Sequence, residues 1–275
     1  MPPDHSRDVD IARSIPVPCF LFCPKIHKRR ICMKLILIRH GEPDYENDTL
    51  TTKGWKEAQL LADRLENLDM NEIYVSPLGR AKHTAEPTLA RCKRDATELE
   101  WLREFEAPIH RPDKPEGVLS IPWDWMPHDW TEIPDFYDYD KWMNHPLMKE
   151  GRVGDEFERV TGLFRAFLDD HGYVKDGNLF LAKRPNNDTI VFFCHYGVSI
   201  VLISFLLHVS PMILWHGMVA APSSVTILTT EERQRGYASF RMNTYGDTSH
   251  LDIHDEPRSF AARFCECYDN KDERH

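Results

Sequence analysis

Met33-Lys34-Leu35-Ile36-Leu37-Ile38-Arg39-His40-Gly41-Glu42 is the stretch on which the reading of this chain turns. Residues 34–38 form a short, continuous apolar run without helical periodicity, the pattern of a strand buried on both faces. The run stops abruptly at two basic side chains and a glycine. A buried strand therefore delivers Arg39 and His40 to its carboxyl end. A second run, Thr189-Ile190-Val191-Phe192-Phe193-Cys194, ends in the same manner at His195-Tyr196-Gly197. In an open α/β sheet, ligands bind outside the carboxyl ends of the strands.

Working outward from the first run, residues 39–50 read as a polar loop. A helix follows with Thr51 or Thr52 as N-cap and an apolar stripe of Trp55, Ala58, Leu61, Ala62 and Leu65. Residues 72–75 are a second strand, ended by Ser76-Pro77, and residues 79–91 a second helix. Residues 98–102 are expected to be a third strand and 150–170 a long amphipathic helix bearing Phe157, Val160, Leu163, Phe164, Phe167 and Leu168. The segment after His195 reads as a buried apolar helix. Residues 223–230 and 237–245 alternate and flank a polar turn, which suggests an antiparallel hairpin at a sheet edge, and a short helix is expected near 260–265. No internal repeat is present. The predicted fold class is α/β, a three-layer arrangement with a mostly parallel sheet and helices on both faces.

Two segments stand apart. Residues 105–148 hold seven prolines and four tryptophans (Trp123, Trp125, Trp130 and Trp142), so they cannot form one regular element. Their aromatic content argues for order, since disordered segments lack aromatics, and predicts an insert acting as a lid. Alternatively, Trp123, Trp125 and Trp130 suit an interface between copies of the chain, a homo-oligomer. Residues 1–32 carry most of their basic charge after the short apolar run 15–22, unlike a secretory leader. They read as a disordered or non-native extension, with the folded domain spanning 33–275.

Composition excludes several classes. The 275-residue chain has 34 Lys+Arg against 44 Asp+Glu, a net charge of −10, which argues against a nucleic-acid partner. A small phosphorylated substrate stays compatible, because only its pocket need be positive. No apolar stretch reaches the roughly 18 residues of a membrane span; residues 198–209 are interrupted by Ser204 and His208. Seven scattered cysteines make no disulfide framework and no zinc-ligand spacing, in keeping with a reduced, cytoplasmic setting.

The candidate site residues are Arg39, His40, Arg80, Glu104 and His195, all placed at one edge of the inferred sheet. Phosphoryl transfer requires mainly positioning and charge stabilisation. Arginine forks match phosphate oxygens, a neutral histidine can attack, and a carboxylic acid can protonate the leaving oxygen. Neighbouring Arg39 and Arg80 would keep His40 neutral, and a helix beginning after His195 would point N–H groups into the site. Taken singly, a histidine after a strand, an arginine starting a helix or one more carboxylate is more often structural. Their convergence carries the reading.

These elements resemble the histidine phosphatase superfamily of the phosphoglycerate mutase-like fold. Arg39-His40-Gly41 is similar to its RHG signature. Leu50-Thr51, Gly54 and Ala58 resemble its LTxxGxxQA pattern, with Glu57 where glutamine is usual. Ser76-Pro77-Leu78-Gly79-Arg80-Ala81 with Thr84-Ala85, Leu102-Arg103-Glu104 and His195-Tyr196-Gly197 match further elements in order. The resemblance implies that His40 is phosphorylated, that Arg39, Arg80 and His195 hold the phosphoryl group, and that Glu104 is the acid, then the base. It implies no metal and no cofactor. Glu106 is the alternative acid. The family's asparagine seven residues after the arginine is here Glu46, beside Asn47. Hydrolysis of a phosphomonoester is the expected activity. A mutase, as a second reading, would show L-N-E-R where this chain has Leu102-Arg103-Glu104-Phe105; a third is a non-catalytic phosphate-binding module. His110, Arg111 and Lys114 are either contacts for the leaving group or solvated loop charges.

Overall fold

The run after Met33 forms strand β1 (Lys34–Arg39), and its alternation explains the layers. Leu35 and Leu37 join one apolar cluster, while Ile36 and Ile38 join another on the opposite face. The computed structural model describes residues 32–259. The expectations for residues 1–31 and for a helix near 260–265 lie outside them.

Helix α1 (Thr52–Leu65) begins where Thr51 Oγ1 accepts the Gly54 N–H. Strand β2 (Glu72–Val75) leads through Ser76-Pro77 into α2 (Gly79–Cys92). These two helices cover the Ile36/Ile38 face, burying Leu61, Leu65, Ala81 and Ala85. The other face is covered by α3 (Val153–Asp170) and α4 (Tyr196–Leu207). Strands β3 (Thr97–Glu98), β4 (Tyr173–Asp176), β5 (Leu179–Ala182), β6 (Thr189–Cys194), β7 (Val225–Gln234) and β8 (Tyr237–Asp247) complete an eight-stranded sheet of order β3-β2-β6-β1-β7-β8-β5-β4. β3, β2, β6 and β1 are mutually parallel. From β7 onward the sheet continues antiparallel. This is the three-layer α/β architecture, its parallel half carrying the strands that end in Arg39, Val75 and Cys194.

Some local expectations differ. Residues 98–102 are not one strand: β3 stops at Glu98 and a 3-10 turn covers Glu100–Leu102. A strand would send Trp101 and Leu102 to opposite faces, whereas the turn buries both in one cluster. The long helix starts at Val153 rather than 150, because Arg152 adopts a left-handed conformation (φ 52°) that ends the preceding short helix Pro146–Glu150. Leu163 on α3 faces solvent. The β7–β8 hairpin is internal, since a second hairpin, β4–β5, pairs outside it; its Asp176-Gly177-Asn178 turn, with Gly177 at φ 55°, is the local signal for it.

The proline- and tryptophan-rich insert is ordered against the α3/α4 face. It comprises a two-stranded ribbon (Ile109–His110 with Leu119–Ser120), two short helices and two 3-10 turns. Trp123, Trp125 and Trp142 are buried within this chain, which leaves Trp123 and Trp125 little surface for an interface. Trp215 from the helix Pro211–Gly217 joins Phe105, Trp123 and Trp142, at ring-centroid distances of 5.5, 5.9 and 5.7 Å.

Candidate active site

Strand register sets the site. Arg39 pairs with Cys194, and Val75 with Phe193, so the residues that follow each strand emerge side by side. The backbone extends this pairing one step: His40 N–H donates to Cys194 O at 3.0 Å and Ser76 N–H to Phe193 O at 2.9 Å. The His40 and His195 rings thus stand 5.1 Å apart. His195 Nε2 shares a 2.7 Å hydrogen bond with Ser76 Oγ.

His40 is buried, and its Nδ1 lies 2.8 Å from Gly41 O. A carbonyl only accepts, so Nδ1 carries the proton and Nε2 of the neutral ring keeps its lone pair. Burial, then Arg39 and Arg80, hold the ring well below the usual histidine pKa, outweighing the Gly41 hydrogen bond. His195 is depressed likewise, by burial and then by His40, Arg80, Arg39 and Arg103. Its Nδ1 is buried without a hydrogen-bond partner. Gly41 is required because a Cβ there would stand 2.8 Å from Gly54 O; this close approach of two backbones links the RHG turn to the start of α1.

Arg39 donates from Nη1 to Ala220 O at 2.7 Å, and its guanidinium lies 5.6 Å from the Tyr196 ring centroid. Arg80, in the first turn of α2, donates from Nη1 to Asp48 Oδ1 at 2.7 Å, while its Nε is buried without a partner. Asp48 also caps α2, accepting the Gly79 N–H through Oδ2 at 2.6 Å. Asp48, not Glu46 or Asn47, is the loop residue tied to the site arginine; Asn47 turns outward onto Asp44. No periodicity marked Asp48, whose left-handed φ of 47° becomes visible only in the folded loop.

Glu104 and Glu106 separate cleanly. Glu106 is exposed. Glu104 Oε1 accepts the Phe105 N–H at 2.8 Å and the Val198 N–H at 3.0 Å, at the start of α4. Burial nonetheless raises its carboxyl above the usual range, against the lowering by these N–H groups, that of Gly197 and Arg39. The residue as a whole is half-buried. Two of the α4 N–H groups expected to face a ligand, those of Gly197 and Val198, are thus engaged by Glu104. Gly197 is obligatory here, since a Cβ would stand 2.6 Å from the Trp123 ring and 2.8 Å from Glu104 Oε1.

Of the insert's basic residues, Arg111 is not a solvated loop charge. Arg111 is fully buried and paired with Asp113 (2.6 Å) and Asp124 (2.5 Å), which makes it a brace of the insert. His110 Nδ1 lies 2.9 Å from Glu150. One further group was not anticipated: the Tyr245 hydroxyl on β8 is buried without a hydrogen-bond partner and close enough to Arg39 to feel its charge. Among the described residues no three His, Cys, Asp or Glu side chains gather as a metal site, and no helix is long and apolar enough to cross a membrane.

Comparison with known proteins bears on the family and the fold. Phosphoserine phosphatase 1 of Hydrogenobacter thermophilus is 25% identical over 216 residues, covering 74% of this chain and 89% of that protein. A probable phosphoglycerate mutase of Salmonella choleraesuis is 32% identical over 83 residues, 27% of this chain and 39% of its own length. The fold is shared with phosphoserine phosphatase from Entamoeba histolytica, solved with phosphoserine, at a TM-score of 0.51 and 21% identity, over 80% of this chain and 99% of that one. The family model of the histidine phosphatase superfamily (branch 1) matches residues 35–243. With more than half of its length matched, the chain belongs to the histidine phosphatase superfamily.

Proposed function

We propose that this chain is a metal-independent phosphomonoester hydrolase acting on a small phosphorylated metabolite through a phosphohistidine at His40. The observation that carries the reading is the His40 tautomer: Nδ1 is committed to Gly41 O, leaving Nε2 as a lone pair in a ring that burial and two arginines keep neutral. Arg39, Arg80 and His195 hold the phosphoryl oxygens and stabilise the charge that spreads over them in the transition state. His40 Nε2 attacks phosphorus, and the P–O bond to the leaving group breaks as protonated Glu104 donates its proton to that oxygen. Glu104, now a carboxylate, takes a proton from water. The hydroxide attacks phosphorus, the P–N bond breaks, and inorganic phosphate leaves with neutral His40 restored.

The raised carboxyl of Glu104 suits an acid that must hold its proton near neutrality, and Glu106, exposed on the surface, is not needed. The insert serves as a lid wall, its Trp123 ring packed against Gly197 and narrowing the space beside Glu104. The activity named for the Hydrogenobacter relative supports a small phosphorylated metabolite as substrate. The test is hydrolysis of an aryl phosphate in the presence of EDTA, comparing the protein with its His40→Ala variant. Activity that survives chelation and disappears in the variant is expected. Activity abolished by EDTA, or retained by the variant, would overturn the proposal.

A further inference from the structure

Under the RHG turn a buried carboxyl group, outside the set used above, lies beside a half-buried one. Glu57, on α1, is 0% exposed. Its Oε2 accepts the Glu42 N–H at 2.7 Å, and its Oε1 is buried without a hydrogen-bond partner. Glu42 Oε1 accepts the Thr51 hydroxyl at 2.8 Å, and its Oε2 accepts the Ser259 hydroxyl. The charged groups facing Glu57 are Glu42 from the turn, Lys53 from its own helix and Glu256 from the C-terminal segment. Lys53 is shared, lying 3.7 Å from Glu256 and donating to Pro257 O. An ionised carboxylate with an unpartnered oxygen, beside two others, is disfavoured in such a place.

The connection to His40 is a single peptide unit. The N–H of Glu42 and the C=O of Gly41 belong to the same planar group. Glu57 holds its N–H end, while the C=O end accepts His40 Nδ1–H. Displacing the one end rotates the other. Gly41 also packs directly on Gly54, three residues before Glu57 on α1.

Building on the role proposed for His40, we infer that Glu57 is a positioning residue which, as a neutral carboxylic acid, fixes the 41–42 peptide and through it the His40 tautomer; once ionised, its burial beside the Glu42 and Glu256 carboxyls outweighs the stronger N–H bond of a carboxylate and displaces that peptide. Its ionised form places a negative charge in the interior, beside the Glu42 carboxyl. Burial first, then Glu42 and Glu256, raise its pKa to about 7, against the lowering by the Glu42 N–H and Lys53. The transition therefore falls near neutrality. A raised carboxyl pKa makes the folded state bind more protons than the unfolded one, so this group's contribution to stability is present below the ordinary carboxylate pKa and lost as pH rises through about 7.

The test uses Glu57→Gln and Glu57→Leu in the full chain, with kcat, KM and Tm followed from pH 5 to pH 8. Glutamine keeps a neutral oxygen acceptor; leucine removes it. Expected are wild-type kcat for E57Q at pH 5, a kcat ratio of E57Q to wild type that rises roughly tenfold toward pH 8, and a loss in E57L that falls on kcat rather than KM. The wild-type Tm should drop relative to that of E57Q between pH 5 and pH 8. That readout needs no activity, so it separates failure of this inference from failure of the phosphohistidine reading. Parallel pH profiles of wild type and E57Q, or full activity in E57L, would overturn it. If E57L does not fold, the comparison of E57Q with wild type decides alone; an E57Q protein that cannot fold equally contradicts a neutral acid accepting one N–H.

Discussion

Two regions of this molecule bury arginine, and they do so in opposite ways. In the insert, Arg111 meets Asp113 with Nε and Nη2 and Asp124 with Nη1, so each of its nitrogens has a carboxylate. At the sheet edge, Arg80 has Asp48 on one nitrogen and a buried Nε without a partner, and His195 Nδ1 is likewise unpaired. A cluster that satisfies itself braces the fold. A cluster with cationic and polar groups left over, around two neutral histidines, is arranged for an incoming anion. Under the proposed function, stability and catalysis fall to different arginines within one chain.

The sharpest way to break this contrast is Arg80→Ala. Its kcat/KM should fall by about a thousandfold, while Tm moves little, because the lost partner Asp48 is half-exposed and still caps α2. A large Tm loss with modest kinetic change would place Arg80 with Arg111 instead. Next in size, Glu104→Gln should lower kcat by about a hundredfold or more, with Glu106→Gln close to wild type. Equal effects of the two would dissolve the distinction that burial draws between them.

Arg111→Ala should do the converse of Arg80→Ala. It strands two carboxylates that are a quarter to a third exposed, so the cost is discounted from that of a fully buried pair to about 2–3 kcal/mol. A thermal melt should show it, with kcat retained at a temperature where the variant is folded. The smallest effect concerns pH. His40 and His195 have lowered pKa values, so the unfolded state binds more protons as pH falls below about 6.5. Stability should decline on acidification through that range, and less steeply in His195→Gln. A melt series with identical slopes would contradict the neutral, buried state of His195.

Much of this was legible in the amino-acid sequence because hydrophobic runs and their terminators are local signals. The strands ending at Arg39 and Cys194, α1 with its Thr51 cap, and α4 all lie where the pattern put them. Arg39, His40, Arg80, Glu104 and His195 converge because parallel register carries strand ends to one edge, a consequence of topology that a motif order can encode. What was not legible depends on long-range packing. The turn at Glu100–Leu102 arises because one cluster takes both Trp101 and Leu102. The pairing of Arg111 with Asp124 spans a folded ribbon. Asp48 and Ser76 act through contacts with residues 32 and 119 positions away. Glu57 could be noticed as a departure from a pattern, but not that its oxygen holds the peptide of the nucleophile turn.

The most direct test of the central claim is to mix the protein with a labelled phosphomonoester, quench in alkali, where phosphohistidine survives, and map the label by peptide mass. The expected result is phosphate on His40 in the wild type, and neither label nor turnover in His40→Ala. Label on any other residue, or undiminished turnover in the variant, would contradict a phosphoryl transfer through His40.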